Sequence, residues 1–140
     1  MPPRQPTPAE WAQLSTWFPG LTQANVWITD NPTPVYNCIA FSLGITNQWI
    51  NPPQPLNAFQ QLYNNHGHAT LAAGAPNAHI DGWATPPNGP AITQMTHGSR
   101  TTTTNKPGLW ESKLGSSYRI THGRHELTGN LYGRVVTSFS

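Results

Sequence analysis

A chain of 140 residues is long enough for one domain with its own core. Its charged fraction is 9%, against about 25% in an average soluble domain, yet six Trp, four Tyr and four Phe supply more buriable aromatic surface than a solvated tail carries. The net charge is +2 with the seven Lys and Arg scattered along the chain, which argues against nucleic acid; no stretch reads as a membrane span or signal peptide, and a single cysteine, Cys38, excludes an intramolecular disulfide.

Residues 1–6 are Pro-rich and read as an extended arm. Thr7-Pro8-Ala9-Glu10 then has the form of a capping box, with proline at the first helical position. Trp11, Leu14 and Phe18 follow at helical spacing, and Pro19-Gly20 ends the run. The organisation expected is an arm and helix over residues 1–16, then a single α+β domain over 17–140.

Asn31-Pro32-Thr33-Pro34 is a rigid lead-in that cannot lie within a helix. Beyond it Val35, Ile39 and Leu43 repeat every four residues, and Gly44 stands where a helix-ending glycine belongs. This predicts a short helix with Cys38 in its first turn and the three-residue stripe buried on a sheet. Pro52-Pro53 and Pro55 precede Leu56, Phe59, Leu62 and Tyr63, a further helix ending near Asn65. From His79 the texture changes to short Thr-, Val-, Ile- and aromatic-rich runs over 79–85, 91–104, 109–114, 118–122 and 132–139. Clusters such as Pro86-Pro87-Asn88-Gly89-Pro90 and Asn105-Lys106-Pro107-Gly108 separate them as hairpin turns. The fold class expected is α+β, with short helices in the first half packed on an antiparallel sheet in the second.

Cys38 is the residue whose placement is most loaded chemically. A thiol at the start of a helix lies near unsatisfied N–H groups, a field that favours the nucleophilic thiolate. The competing reading is a small buried apolar side chain. A thiolate needs a histidine to carry its proton. His66 and His68 form a His-x-His pair with no further ligand close by in sequence, so they read as loop histidines and no metal site is expected. His79, His122 and His125 fall in the C-terminal, strand-rich half. His97 lies within Met95-Thr96-His97-Gly98-Ser99-Arg100, the longest β segment, beside a glycine that permits close approach. Alternation would place Met95, His97 and Ser99 on one face. On the returning strand Glu111 or Ser112, but not both, can share the face of His97.

Tyr36-Asn37-Cys38-Ile39-Ala40, Thr96-His97, Trp110-x-Ser112-Lys113-Leu114-Gly115, Ile120-x-His122 and Tyr132-Gly133-Arg134-Val135-Val136 occur in this order. Together they resemble an uncharacterised family of small bacterial and fungal proteins, over most of the chain. Phe41 stands where that family has tryptophan, and Gly98-Ser99 where it has two alanines. The cysteine helix followed by a strand histidine also resembles the compact papain-like group that includes the NlpC/P60 and CHAP amidases. That resemblance implies Cys38 as nucleophile, His97 as base and Ser112 or Glu111 as orienter. Ser112 is preferred, since it lies in the Ser-Lys-Leu-Gly block. The Cys38 sulfur and a His97 ring nitrogen are then expected within about 3–5 Å of each other.

The implied activity is a cysteine hydrolase or acyl transferase acting on an amide of a peptide, a cell-wall peptide or a glutamine side chain, with no cofactor. The rival is a secreted, non-enzymatic binding or elicitor-like protein with a structural free cysteine. Low charge and abundant Asn, Thr and Pro point to export in either case. Lys113 reads as a solvated strand lysine, Trp110, Tyr132, Val135 and Val136 as sheet core, and Trp49 as a cleft wall or a packing residue.

Overall fold

In the computed structural model, which describes residues 1–140, three α-helices and seven strands form along the chain. Helix α1 (Pro8–Trp17) starts at the expected capping box: the Thr7 hydroxyl accepts the Glu10 N–H, and the Glu10 carboxylate accepts the Thr7 N–H. Its Leu14 is fully buried in a cluster with Phe18, Ile28, Trp83, Ile120 and Leu127.

Helix α2 (Cys38–Ser42) is shorter than the four-residue spacing of Val35, Ile39 and Leu43 predicts. Asn37 is the reason. Its side-chain oxygen accepts the Ala40 N–H at the helix start and the Ile50 N–H from the following loop, while its amide donates to the Ile50 carbonyl. The cap therefore sits directly before Cys38, and Val35 falls outside the helix, 54% exposed, while Ile39 is fully buried. Helix α3 (Leu56–Asn65) buries Phe59 and Tyr63, as its spacing requires.

The strands are β1 (Ile28–Asp30), β2 (Thr70–Leu71), β3 (Ile80–Thr85), β4 (Gln94–Thr101), β5 (Trp110–Lys113), β6 (Arg119–His122) and β7 (Arg134–Phe139). They form one sheet, ordered β1-β6-β5-β4-β3-β7-β2, with every pairing antiparallel. The architecture is α+β with the sheet dominant. One face carries the cluster around Leu14 and Trp83; the other carries Cys38, Ile39, Phe59 and Tyr63 packed on Ile80, Ala84, Met95 and Phe139. No helix is long and apolar enough to cross a membrane.

One irregularity changes the expected facing of β4. Trp83 pairs with His97 but Ala84 pairs with Met95, so Thr96 is an extra residue in the ladder. A bulge of one residue shifts the alternation. Met95 joins the α2–α3 side, whereas His97 and Ser99 project on the opposite side with Trp83. Met95 and His97 thus do not share a face.

Candidate functional site

Gly98 decides how closely α2 approaches the sheet. A Cβ at this position would lie 2.6 Å from the Tyr63 hydroxyl and 2.8 Å from the Ser42 hydroxyl, which hydrogen-bond each other at 2.6 Å. Without that Cβ, the start of α2 settles against β4 beside the residue after His97. β4 and β5 pair only at Arg100–Glu111 and Thr101–Trp110, and α2 contacts both strands.

Cys38 is buried, with 6% of its surface exposed. Burial pushes its thiol up to about 11, while the nearby backbone N–H groups of Gly98, Ile39 and Cys38 itself pull the other way. The helix-start field is present but loses to desolvation, contrary to the expectation of a stabilised thiolate.

The His97 imidazole is fully buried. The Tyr132 ring stacks on it at a centroid distance of 3.9 Å and 8° between planes, and Trp83 meets it edge-on at 6.0 Å. Its Nε2 lies 3.0 Å from Ser112 Oγ. Ser112 Oγ also lies 2.7 Å from His122 Nε2, and His122 Nδ1 donates to the Gly123 carbonyl at 2.6 Å. All three side chains are fully buried. Burial holds His97 well below the ordinary histidine range and lowers His122 to about 4, so both rings are neutral near pH 7.

His97 Nδ1 is the one buried side-chain nitrogen or oxygen with no hydrogen-bond partner. No hydrogen bond therefore joins it to Cys38. The bulge sets the facing here: Gly98 looks toward α2 and its backbone N–H lies at the Cys38 thiol, while the His97 ring, one residue earlier, lies on the side of Trp83. Tyr132 is common to both. Its ring covers His97, and its hydroxyl, raised chiefly by burial, also senses the Cys38 sulfur.

Glu111 lies on the opposite side of β5 from Ser112. Its carboxylate accepts from Thr29 Oγ1 at 2.7 Å and from the Thr103 N–H at 2.7 Å, and it pairs with Arg119 Nε at 3.1 Å. Ser112, not Glu111, meets His97. Lys113 is not a solvated lysine but fully buried; its Nζ donates to the Thr33 and Gly115 carbonyls and sits 4.9 Å from the Tyr36 ring centre. Burial lowers the ammonium to about 8. Trp49 is 44% exposed and donates its indole N–H to Asn51 Oδ1, so it is not a core packing residue.

Two residues of this cluster escape a reading of the sequence as a site. His122 sits in the Ile120-x-His122 block, but its nearness to Ser112 follows from the β5–β6 register, which sets Trp110 against His122 and Ser112 against Ile120. Tyr132 reads as sheet core, yet lies before β7 and lids the imidazole. Beyond Tyr132 lies an apolar groove of about 250 Å³ lined by Trp17, Phe18, Leu114, Ser117, Leu131 and Tyr132. His66 and His125 are exposed, and His68 Nδ1 lies 2.8 Å from the Ser140 carbonyl oxygen. No group of three or more His, Cys, Asp or Glu side chains is placed to hold a metal ion.

No curated protein and no solved structure matches the chain. The model of a family described as a domain of unknown function (DUF7689) matches residues 27–140, which take in all seven strands, α2, α3 and every residue of the Cys38–His97–Ser112–His122 cluster, and the chain belongs to that family.

Proposed function

We propose that the protein is a small cysteine hydrolase or acyl transferase of papain-like type, resting in a closed state, with Cys38 as nucleophile, His97 as base and Ser112 as orienter. The observation that carries this reading is the unpartnered His97 Nδ1. Leaving such an atom buried costs about 1–3 kcal/mol. That cost has a purpose where a ring nitrogen is kept free for a reacting proton. Ser112 holds the other nitrogen, and Gly98, the next residue, lies against the thiol.

In the reaction the proton on Cys38 Sγ passes to His97 Nδ1 as sulfur bonds to the substrate's carbonyl carbon. In this reading the backbone N–H groups near Sγ, including that of Cys38, stabilise the developing oxyanion. Collapse breaks the C–N bond, and the leaving nitrogen takes the proton from Nδ1. Water, or another acceptor, then attacks the thioester and restores the thiol. With the thiol near 11 and the imidazole neutral, no ion pair exists at rest, so in this reading the proton leaves sulfur only as the attack proceeds. The substrate class is an amide of a peptide, a cell-wall peptide or a glutamine side chain, and an exported location suits the low-charge surface.

The test is acylation by an activated acyl ester at neutral pH, followed by intact mass and peptide mapping. A single acyl group on Cys38, formed at least about 100-fold more slowly in His97→Ala, is expected. Equal rates in the two proteins would remove the enzyme.

The burial of Cys38 and its high thiol pKa favour a second reading, a secreted binding protein with a structural cysteine. In that case Cys38 is not acylated, and the groove beside Trp17 and Leu131 is the contact surface.

A further inference from the structure

We propose that His122 is a positioning residue that selects the tautomer of His97 through the Ser112 hydroxyl. The role deepens the cysteine-hydrolase reading and rests on it, but the tautomer itself follows from hydrogen bookkeeping alone.

The Gly123 carbonyl can only accept, so the hydrogen in its 2.6 Å contact belongs to His122 Nδ1. A neutral His122 ring then has a bare lone pair on Nε2. Ser112 Oγ, 2.7 Å away, must point its single hydrogen there. What remains on Oγ toward His97 is a lone pair, so the 3.0 Å contact is filled only by a hydrogen on His97 Nε2. One hydrogen per neutral imidazole leaves Nδ1 bare. With both rings neutral, any other placement sets two lone pairs or two hydrogens against each other within a fully buried cluster.

A serine alone could not do this. Its hydroxyl rotates, and by donating to His97 Nε2 it would serve the opposite tautomer equally well. With His122 behind it, anchored on the Gly123 carbonyl, the hydroxyl becomes a fixed acceptor. The nitrogen left bare is Nδ1, the atom that must take the thiol proton.

The test is nitrogen NMR of the whole chain labelled in histidine, which reads the protonated ring nitrogen directly. Wild-type His97 is expected as the Nε2–H form. His122→Leu, which cannot accept from Ser112, should shift the ratio of the two forms about tenfold toward Nδ1–H. His122→Gln, which can accept from Ser112 through its amide oxygen, should restore the wild-type form. A hydrogen on Nδ1 in the wild type, or an unchanged ratio in His122→Leu, overturns the proposal. If His122→Leu does not fold, a hydrogen on Nδ1 in either the wild type or His122→Gln overturns it, and Nε2–H in both supports it. Acylation of Cys38 is measured alongside. Acylation that ignores His97→Ala while the tautomer behaves as stated sinks the hydrolase alone; acylation that needs His97 while the tautomer ignores His122 sinks the positioning role alone.

Discussion

Gly98→Ala probes the docking of α2 more directly than any other single change. The added methyl group would meet the hydroxyls of Tyr63 and Ser42 at 2.6 and 2.8 Å, inside their mutual hydrogen bond. Overpacking of this kind costs about 1–3 kcal/mol. Parting two buried hydroxyls adds about 1–3 kcal/mol if neither finds water. Alanine stiffens the unfolded chain and returns about 0.4–1 kcal/mol. The expected net loss is about 1–5 kcal/mol, read as a lower urea midpoint with an unchanged slope by tryptophan fluorescence. Because α2 must lift from β4, alkylation of Cys38 by iodoacetamide should also speed up. A double-mutant cycle locates the clash: Tyr63→Phe removes the nearer oxygen, so with Gly98→Ala it should cost about 1 kcal/mol less than the two single changes together. A loss below about 0.5 kcal/mol in Gly98→Ala, or an additive cycle, would show that the glycine is not what sets the contact.

Ser112→Ala leaves ring nitrogens of both His97 and His122 buried without partners and should destabilise by about 2–4 kcal/mol by urea unfolding. Both rings have folded pKa values below the ordinary value of 6.5, so the unfolded chain binds more protons as the pH drops. Stability should therefore be fully present above about 6.5 and decline on acidification to pH 5, before the carboxylates titrate; a flat profile would contradict the buried neutral pair. Lys113 has the same sign at higher pH: with a folded value of about 8 against 10.5, stability should rise from pH 8 to 9, and Lys113→Met should abolish that rise. Glu111→Gln strips the charge that Arg119 faces and should cost about 2–4 kcal/mol in the urea midpoint while leaving the rate of Cys38 acylation unchanged.

Elements carrying local signals are legible in the sequence. The capping box of α1 and the apolar spacing of α3 name their own helices, and the Pro-, Asn- and Gly-rich clusters mark the turns of the central hairpins. The end strands β1 and β2, at three and two residues, are too short for any period to show, and form because β6 and β7 offer them hydrogen-bonding edges. The stripe of Val35, Ile39 and Leu43 misleads because the Asn37 side chain, held by a loop thirteen residues away, starts the helix late.

The composition of the candidate site is also readable. Cys38 at a helix start and His97 on the long strand can be picked out by residue type, and strict alternation requires Ser112 and Glu111 to face apart. What the chain by itself determined was thus the inventory: α+β elements, one thiol, a strand histidine and two candidate partners on opposite faces of one strand. Only the tertiary structure decided how they meet. An extra residue at Thr96 turned His97 away from Met95, a glycine let α2 reach β4, and the β5–β6 register set His122 behind Ser112. The thiol's pKa is likewise a tertiary outcome, since the helix-start field is local but the desolvation that outweighs it comes from packing on the sheet. Local signals depend on neighbours in sequence; the state of a buried polar atom depends on what the rest of the fold brings to it.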